Sequence, residues 1–462
     1  MLDRYPTASA FARGGLLIGV VALLLVGCDS FLSVDPQQSI DENQALSTPQ
    51  NVRAVLVGAY DDLSDVDLYG GQYMMSPDLL ADNGDVQWDG TFAEPAEIVN
   101  KQMFVNNGFI ESQWTDAYQT INTANNVLNA LSQFSDPQER ARIKGEALFI
   151  RGALYFELVR LFGQPWNAGD PASNPGVPLV LEPTRGITED DNVTRDNVQA
   201  VYNQVITDLT TARDSLPATN GVFANSYAAS AFLSRVYLMQ GEYEAAAQAA
   251  NRVIQSDQFS LAPTFAEAFN NSGNVSEYIF AIEITPQDGG NDLNLFYASE
   301  VDGGRGDINI QQQHLDRYAD GDARGEFFYE DAATGDIRTQ KWRDDEADGA
   351  NIPVVRYAEM FLTRAEANLR AGTTIGDDPV DDVNEIRERA GLSPTGSVTV
   401  EDVLRQRRLE FAFEGNLLHD LKRTGRSVGS IPFDANRLVY PIPQREIDSN
   451  PEIQQNPGYG GQ

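Results

Sequence analysis

Between Tyr69 and Trp88 the chain sets aromatic rings beside carboxylates and amides: Tyr69, Tyr73, Asp82, Asn83, Asp85 and Trp88. That mixture suits a saccharide, whose ring face stacks on an aromatic plane while its hydroxyls bond polar side chains. Asn294, Tyr297 and Trp342 offer the same chemistry in later loops. The competing reading is that these aromatics pin long loops onto a core. Asp82-Asn83-Gly84-Asp85 supplies the oxygen donors that calcium takes, without the spacing of an EF-hand loop. Acidic clusters are common in a chain with 68 Asp and Glu, so no metal site is assigned. Catalysis finds little support. The histidines are His314 and His419, and neither belongs to a zinc-binding His-Glu-x-x-His. There is no phosphate-cradling Gly-x-x-x-x-Gly-Lys loop. Paired carboxylates can hydrolyse a glycosidic bond, but with this many acids pairs arise by chance throughout. The residues point to binding without enzyme activity or cofactor.

Cys28, the only cysteine, has a covalent chemistry of its own. Arg4 and Arg13 precede an apolar run from Leu16 to Val26, broken only by Gly19 and ending in Leu25-Val26-Gly27-Cys28. A charged segment followed by a short apolar one is the layout of a secretory signal. The run is too short for a mature transmembrane helix, which needs about 20 apolar residues. Its end matches the bacterial lipobox, in which the chain is cut before the cysteine and the thiol receives diacylglycerol. Residues 1–27 are thus expected to be a lipoprotein signal peptide and 28–45 a lipidated tether. One acyl chain holds a membrane only marginally and several hold it stably. Asp29 follows the cysteine, and in some bacteria an acid there retains a lipoprotein at the inner membrane. With no second cysteine, no intramolecular disulfide can form.

The body must therefore be held by a hydrophobic core, and 462 residues at 42% hydrophobic are enough to build one. The chain carries 33 basic against 68 acidic residues, formally −35. Such a field repels nucleic acid and anionic lipid, leaving the acyl anchor as the membrane contact. Only Lys101, Lys144, Lys341 and Lys422 are lysines, a pattern expected of an acidic, salt-adapted (halophilic) source.

The elements that must position these residues are mainly helical. Asp136-Pro137-Gln138-Glu139 is a helix start, and Ala147, Ile150, Leu154, Leu158 and Leu161 form one apolar stripe behind it. Gly163 and Pro165 stop that helix. Val198, Val201, Val205, Leu209, Ala212 and Leu216 repeat the rhythm up to Pro217. Tyr227–Gln240 and Tyr243–Ser256, joined at Gly241, form a hairpin of tetratricopeptide type, with Leu233, Ser234 and Tyr237 facing Tyr243 and Ala246. Further helices are expected over Arg356–Ala371, Val380–Ala390 and Thr399–Phe413, and a strand over Tyr278–Ile284. Residues 64–97, 164–193, 285–312 and 320–351 read as long loops, which in compact domains are uncommon unless functional or disordered.

Taken in order, these stretches resemble the SusD/RagB family of outer-membrane nutrient-binding lipoproteins over nearly the whole mature length. The likeness begins at Phe31-Leu32 with Pro36, and continues through Trp114, Tyr118, Ile121, Asn125 and Asn126. Glu146-Ala147, Arg151, Tyr155-Phe156, Leu158-Val159-Arg160 and Phe162-Gly163-Gln164-Pro165 are similar to its most recognisable helix. The second half adds Arg356-Tyr357-Ala358-Glu359, Ala365-Glu366-Ala367, Asn384, Ile386-Arg387, Arg389-Ala390-Gly391-Leu392 and Arg407-Arg408-Leu409-Glu410-Phe411. Phe413-Glu414-Gly415, Asp420-Leu421-Lys422-Arg423 and the tail from Tyr440-Pro441 to Gly458-Tyr459 complete it. Asn416 stands where an arginine is expected after Glu-Gly.

The resemblance implies a mainly α fold: tetratricopeptide-like helix pairs under a loop-rich ligand face, with few short strands. It places that fold at 46–462, with an N-terminal portion at about 46–260 and a C-terminal SusD/RagB portion at about 265–462. It also implies a partner, a SusC-like TonB-dependent outer-membrane barrel on which the lipoprotein sits as a lid. The expected function is capture of an oligosaccharide or polysaccharide at the cell surface for delivery to that partner; peptide capture and a ligand-free helical scaffold are the alternatives.

Overall fold

Thr48 opens the first helix: its hydroxyl accepts the Asn51 N–H at 3.2 Å, and Pro49 takes the first helical position. From there the N-terminal half runs α1 (Pro49–Leu63), α2 (Gln72–Ala81), β1 (Val86–Trp88), α3 (Ala93–Val99), α4 (Gly108–Asn129), α5 (Pro137–Phe162), α6 (Val198–Ser215), α7 (Ser226–Gln240) and α8 (Tyr243–Ile254). The remainder runs β2 (Tyr278–Ile282), α9 (Asp292–Tyr297), β3 (Ile308–Ile310), α10 (Gln312–Leu315), β4 (Phe328–Glu330), β5 (Ile337–Thr339) and β6 (Ile352–Arg356). It ends with α11 (Tyr357–Ala371), α12 (Pro379–Arg389), α13 (Val400–Glu410), α14 (Leu417–Arg423) and α15 (Gln444–Ser449). The structure, a computed structural model, describes residues 45–186, 192–284, 291–344 and 349–460. Cys28, the signal segment and the tether up to residue 44 lie outside the described residues, as do parts of three of the expected loops, at 187–191, 285–290 and 345–348.

The helix starts and stops that the sequence marks are realised. The Asp136 carboxylate caps α5 by accepting the Gln138 N–H, and the helix ends at Phe162 before Gly163. α5 packs on α6, α6 on α7, α7 on α8 and α8 on α11, a succession of helix pairs. Arg151 locks the first of these with two 2.8 Å bonds to the Asp208 carboxylate. Gly241 turns the α7–α8 hairpin at φ +78°, a left-handed conformation that glycine takes without a Cβ clash.

Residues 64–97 are not the bare loop that the sequence suggests, since they hold α2, β1 and α3. The physical reason lies in α2: all ten of its residues are buried, so no apolar stripe of period 3.6 marks it. β3, β4 and β5 escape notice because strands of three residues carry too few alternations to register. The strands form three antiparallel pairs, β1·β3, β2·β6 and β4·β5. β2 and β6 are buried throughout.

Beneath β6 lies a charged core. Arg356 bonds Glu277 Oε1 at 2.5 Å, Glu410 Oε1 at 2.9 Å and Glu414 Oε1 and Oε2 at 2.8 and 2.9 Å. Arg389 pairs with Glu277 and Glu410, Lys341 with Glu414, and Arg324 with Asp322 and, at 3.7 Å, Glu410. Four cations thus face four carboxylates. Among the described residues no helix is long and apolar enough to cross a membrane.

Carboxylates also gather where α1 gives way to α2, with oxygens of Asp65, Asp67 and Asp116 within 4.8 Å of one another. Burial, then the charges of Asp65, Asp116 and Asp292, push Asp67 up to about 7. A carboxyl whose folded pKa is raised favours folding while protonated: its contribution is complete below about 4, the unfolded value, and is lost as pH rises through about 7. Asp67→Asn, a permanent mimic of the protonated form, is expected to melt a few degrees above wild type at pH 8. It should also flatten the fall in Tm between pH 5 and 8, measured by calorimetry. Parallel wild-type and variant curves would refute this assignment.

Candidate ligand-binding site

The buried α2 ends at Ala81 and hands the chain to Asp82, whose carboxylate organises the next turn. Its Oδ1 accepts the N–H groups of Asp85 and Val86, both at 2.9 Å, and of Gly84 at 3.2 Å. Asp85 is anchored from the other side by Arg317 Nη2 at 2.5 Å and Arg408 Nη2 at 2.6 Å. Burial would raise its pKa, but His314, Arg317 and Arg408 hold the carboxyl far below the usual range. Asp85 is therefore committed to its guanidinium partners, which argues against calcium at this cluster.

The turn delivers β1 into register with β3: Val86 opposite Ile310, Gln87 opposite Asn309 and Trp88 opposite Ile308. The pairing sets the three glutamines that follow β3 beside Asp82–Trp88. Gln311 N–H donates to the Asp85 carbonyl, and Gln313 Nε2 donates to the Asn83 carbonyl at 2.9 Å. The result is a cleft of about 650 Å³ lined by Asp82, Gln87, Trp88, Asn100 and Gln311–Gln313, with Ala96 and Val99 of α3 alongside. Trp88, half-buried, leans on Phe296 with ring centroids 5.7 Å apart, and Phe296 in turn contacts Phe92 and Phe109. Phe92 is 40% exposed, and the Arg305 guanidinium lies over its ring at 4.7 Å. A partly exposed indole beside amides and a carboxylate can stack one sugar ring and bond the hydroxyls of the next.

Of the residues that the sequence singles out, Asp82 and Trp88 line this cleft, and Asn83 contributes its carbonyl to Gln313. The others do not. Tyr69 and Tyr73 are buried against each other, their hydroxyls donating to Glu157 Oε1 at 2.9 Å and to the Gln113 carbonyl at 3.3 Å. Trp342 is buried and donates its Nε1–H to the Phe413 carbonyl at 2.9 Å. Tyr297 packs on Phe413 and is also buried. Asn294 Nδ2 donates to the carbonyls of Trp342, Arg343 and Asp302, holding the loop rather than facing solvent. For these five the competing reading, aromatics and amides that pin long loops, fits the observed packing. Both histidines are buried, and burial depresses each. The sequence reading passes over Gln87, Asn100 and the glutamines, although Gln311-Gln312-Gln313 was a visible signal: consecutive amides beside a short apolar strand.

Comparison with known proteins agrees with this architecture. Residues 30–238 match the SusD-like family model described as starch-binding and associating with the outer membrane, and residues 328–437 match the SusD family model. The chain is 28% identical to SusD-like protein P2 of Formosa agariphila, over 95% of this chain and 98% of that one. It is 30% identical to the starch-binding protein SusD of Bacteroides thetaiotaomicron, over 37% of this chain and 31% of that protein. A crystal structure of a SusD superfamily protein from Bacteroides thetaiotaomicron superposes with a TM-score of 0.79 at 29% identity, covering 89% of this chain and all of the other.

Proposed function

Because this chain belongs to the SusD/RagB family, we propose that it captures an oligosaccharide or polysaccharide at the outer membrane and passes it to a SusC-like TonB-dependent barrel. The observation that carries the ligand class is the cleft at Trp88, where an aromatic face sits among Gln87, Asn100 and Gln311–Gln313 with a carboxylate at Asp82. Amides and carboxylates bond hydroxyls without requiring charge on the ligand, and the indole supplies the stacking plane. The site acts by binding alone, and delivery, rather than turnover, is its output. Lipid on Cys28 holds the body to the membrane, and exposure on the outer face follows from the partner. Cys28→Ser should release the body or leave it uncleaved, and protease added to intact cells should digest the wild-type protein.

Titration of the mature protein in detergent against glycan and peptide panels tests the reading. Trp88→Ala is expected to weaken the glycan hit at least about tenfold, the loss of one stacking contact of about 1.4 kcal/mol or more, while the melting curve stays close to wild type. Saturable binding to peptides and to no glycan would replace this proposal with peptide capture. An unchanged affinity in Trp88→Ala would move the site elsewhere.

A further inference from the structure

The wall of the Trp88 cleft does not stop at Asn100. The next residues, Lys101 to Val105, form one side of a second, larger groove of about 920 Å³, whose other side is built from the C-terminal tail around Arg437 and Tyr459. Lys101 joins the two: its Nζ donates to the carbonyl of Asp82, a cleft residue, at 2.6 Å, and to that of Val99 at 2.7 Å. Its backbone sits at φ +56°, a left-handed conformation that a lysine enters only when its surroundings fix it there. Both partners of its ammonium are carbonyls. Arg437 is exposed and, among the described residues, has no ion-pair partner. The two cations feel each other, since Arg437 depresses Lys101 after burial does, against the opposing charge of Asp82.

What the groove lacks matters as much. In a chain with 68 acids against 33 bases, none of the residues lining it is Asp or Glu. Its lining includes Phe104, 57% exposed, the half-buried Tyr459, and the amide residues Gln102 and Asn436. An aromatic lining with two cations and no carboxylate is complementary to a saccharide bearing negative charge, while the rest of so acidic a surface repels one.

Resting on the proposed glycan capture, we infer that the ligand runs from the Trp88 cleft into this groove and carries an anionic substituent, a carboxylate or a sulfate ester, facing Lys101 and Arg437. The test uses the mature protein in detergent and four probes: an oligogalacturonate, its carboxyl-reduced form, a sulfated galactan oligosaccharide and its desulfated form. Each is titrated calorimetrically at 0.1 M and 1 M salt. At least one anionic probe should bind about tenfold tighter than its neutral counterpart at 0.1 M, with the gap narrowing at 1 M as the charges are screened. Which of the two wins identifies the group. Arg437→Gln and Lys101→Gln should each weaken that probe about tenfold and leave its neutral form unchanged; glutamine at 101 keeps N–H donors for the Asp82 and Val99 carbonyls. Equal affinity for charged and neutral forms, or no loss in either variant, overturns the anionic ligand and leaves glycan capture standing. Failure of all four probes and of the wider glycan panel, with or without binding of an acidic peptide, overturns both.

Discussion

Arg356→Met is expected to destabilise the fold by about 3–5 kcal/mol, the cost of leaving buried carboxylates without their cation. Arg356 is 1% exposed and contacts Glu277, Glu410 and Glu414, which are 0%, 0% and 7% exposed. With it present, four cations balance four carboxylates; without it, three glutamates surround an apolar side chain and the net charge of the core is −1. Burial pushes Glu410 up, but Arg389, Arg356, Arg324 and Lys341 together hold it well below the usual range. A depressed carboxylate stabilises the fold above its unfolded pKa of about 4.3, and that contribution is lost only as pH falls through its much lower folded value. Wild type should therefore keep this core intact through mildly acidic pH. Arg356→Lys retains charge but not the forked geometry that reaches three glutamates, so it should fall between Met and wild type. Urea unfolding at pH 7 measures all three. A loss under about 1 kcal/mol in Arg356→Met would mean that apolar packing alone holds β6 to α13.

Gly415→Ala should cost about 3 kcal/mol, and its effect should reach the ligand cleft. Gly415 has φ +75°, and a Cβ there would stand 2.7 Å from Met74 Cα, 3.0 Å from Met74 O and 3.2 Å from Tyr73 O. These are backbone atoms of α2 and cannot rotate away. The left-handed conformation costs an alanine roughly 1–2 kcal/mol, and forced separation of the segments adds about 1–3. The Gly415 N–H also donates to Asp78 Oδ2 at 2.8 Å. Because α2 ends where Asp82 begins to set the turn into β1, any displacement propagates to Trp88, and glycan affinity should fall with stability. Gly425→Ala is the control: φ is +69° but nothing lies within 4 Å of its Cβ position. It should show only the conformational cost, about 1–2 kcal/mol, with affinity unchanged. Equal losses in the two variants would deny Gly415 a role in packing the cleft.

These two positions also show what the family-like motifs encode. Arg356, Arg389, Glu410 and Glu414-Gly415 are among the most recognisable residues in the chain, yet they lie in the charged core and the turn that seats α2. They identify the fold without touching the cleft. Recognition from sequence was therefore strong for architecture and weak for the site.

Period and capping chemistry are local, so the sequence by itself determined the long helices: Asp136-Pro137 and Gly163 bracket α5, and Gly241 turns the α7–α8 hairpin. Composition likewise determined that the chain can form no intramolecular disulfide and carries a strongly negative field. Which aromatics face solvent was decided only by the tertiary structure. Tyr69, Tyr73, Trp88, Tyr297 and Trp342 offer the same chemistry one at a time, and only the packing of α2, the β1·β3 register and the charged core leaves Trp88 partly exposed while burying the others. The cleft joins Asp82–Trp88 to Gln311–Gln313 across more than 200 residues of chain. No local pattern spans that separation, because the register that brings the two segments together is fixed by long-range pairing and burial.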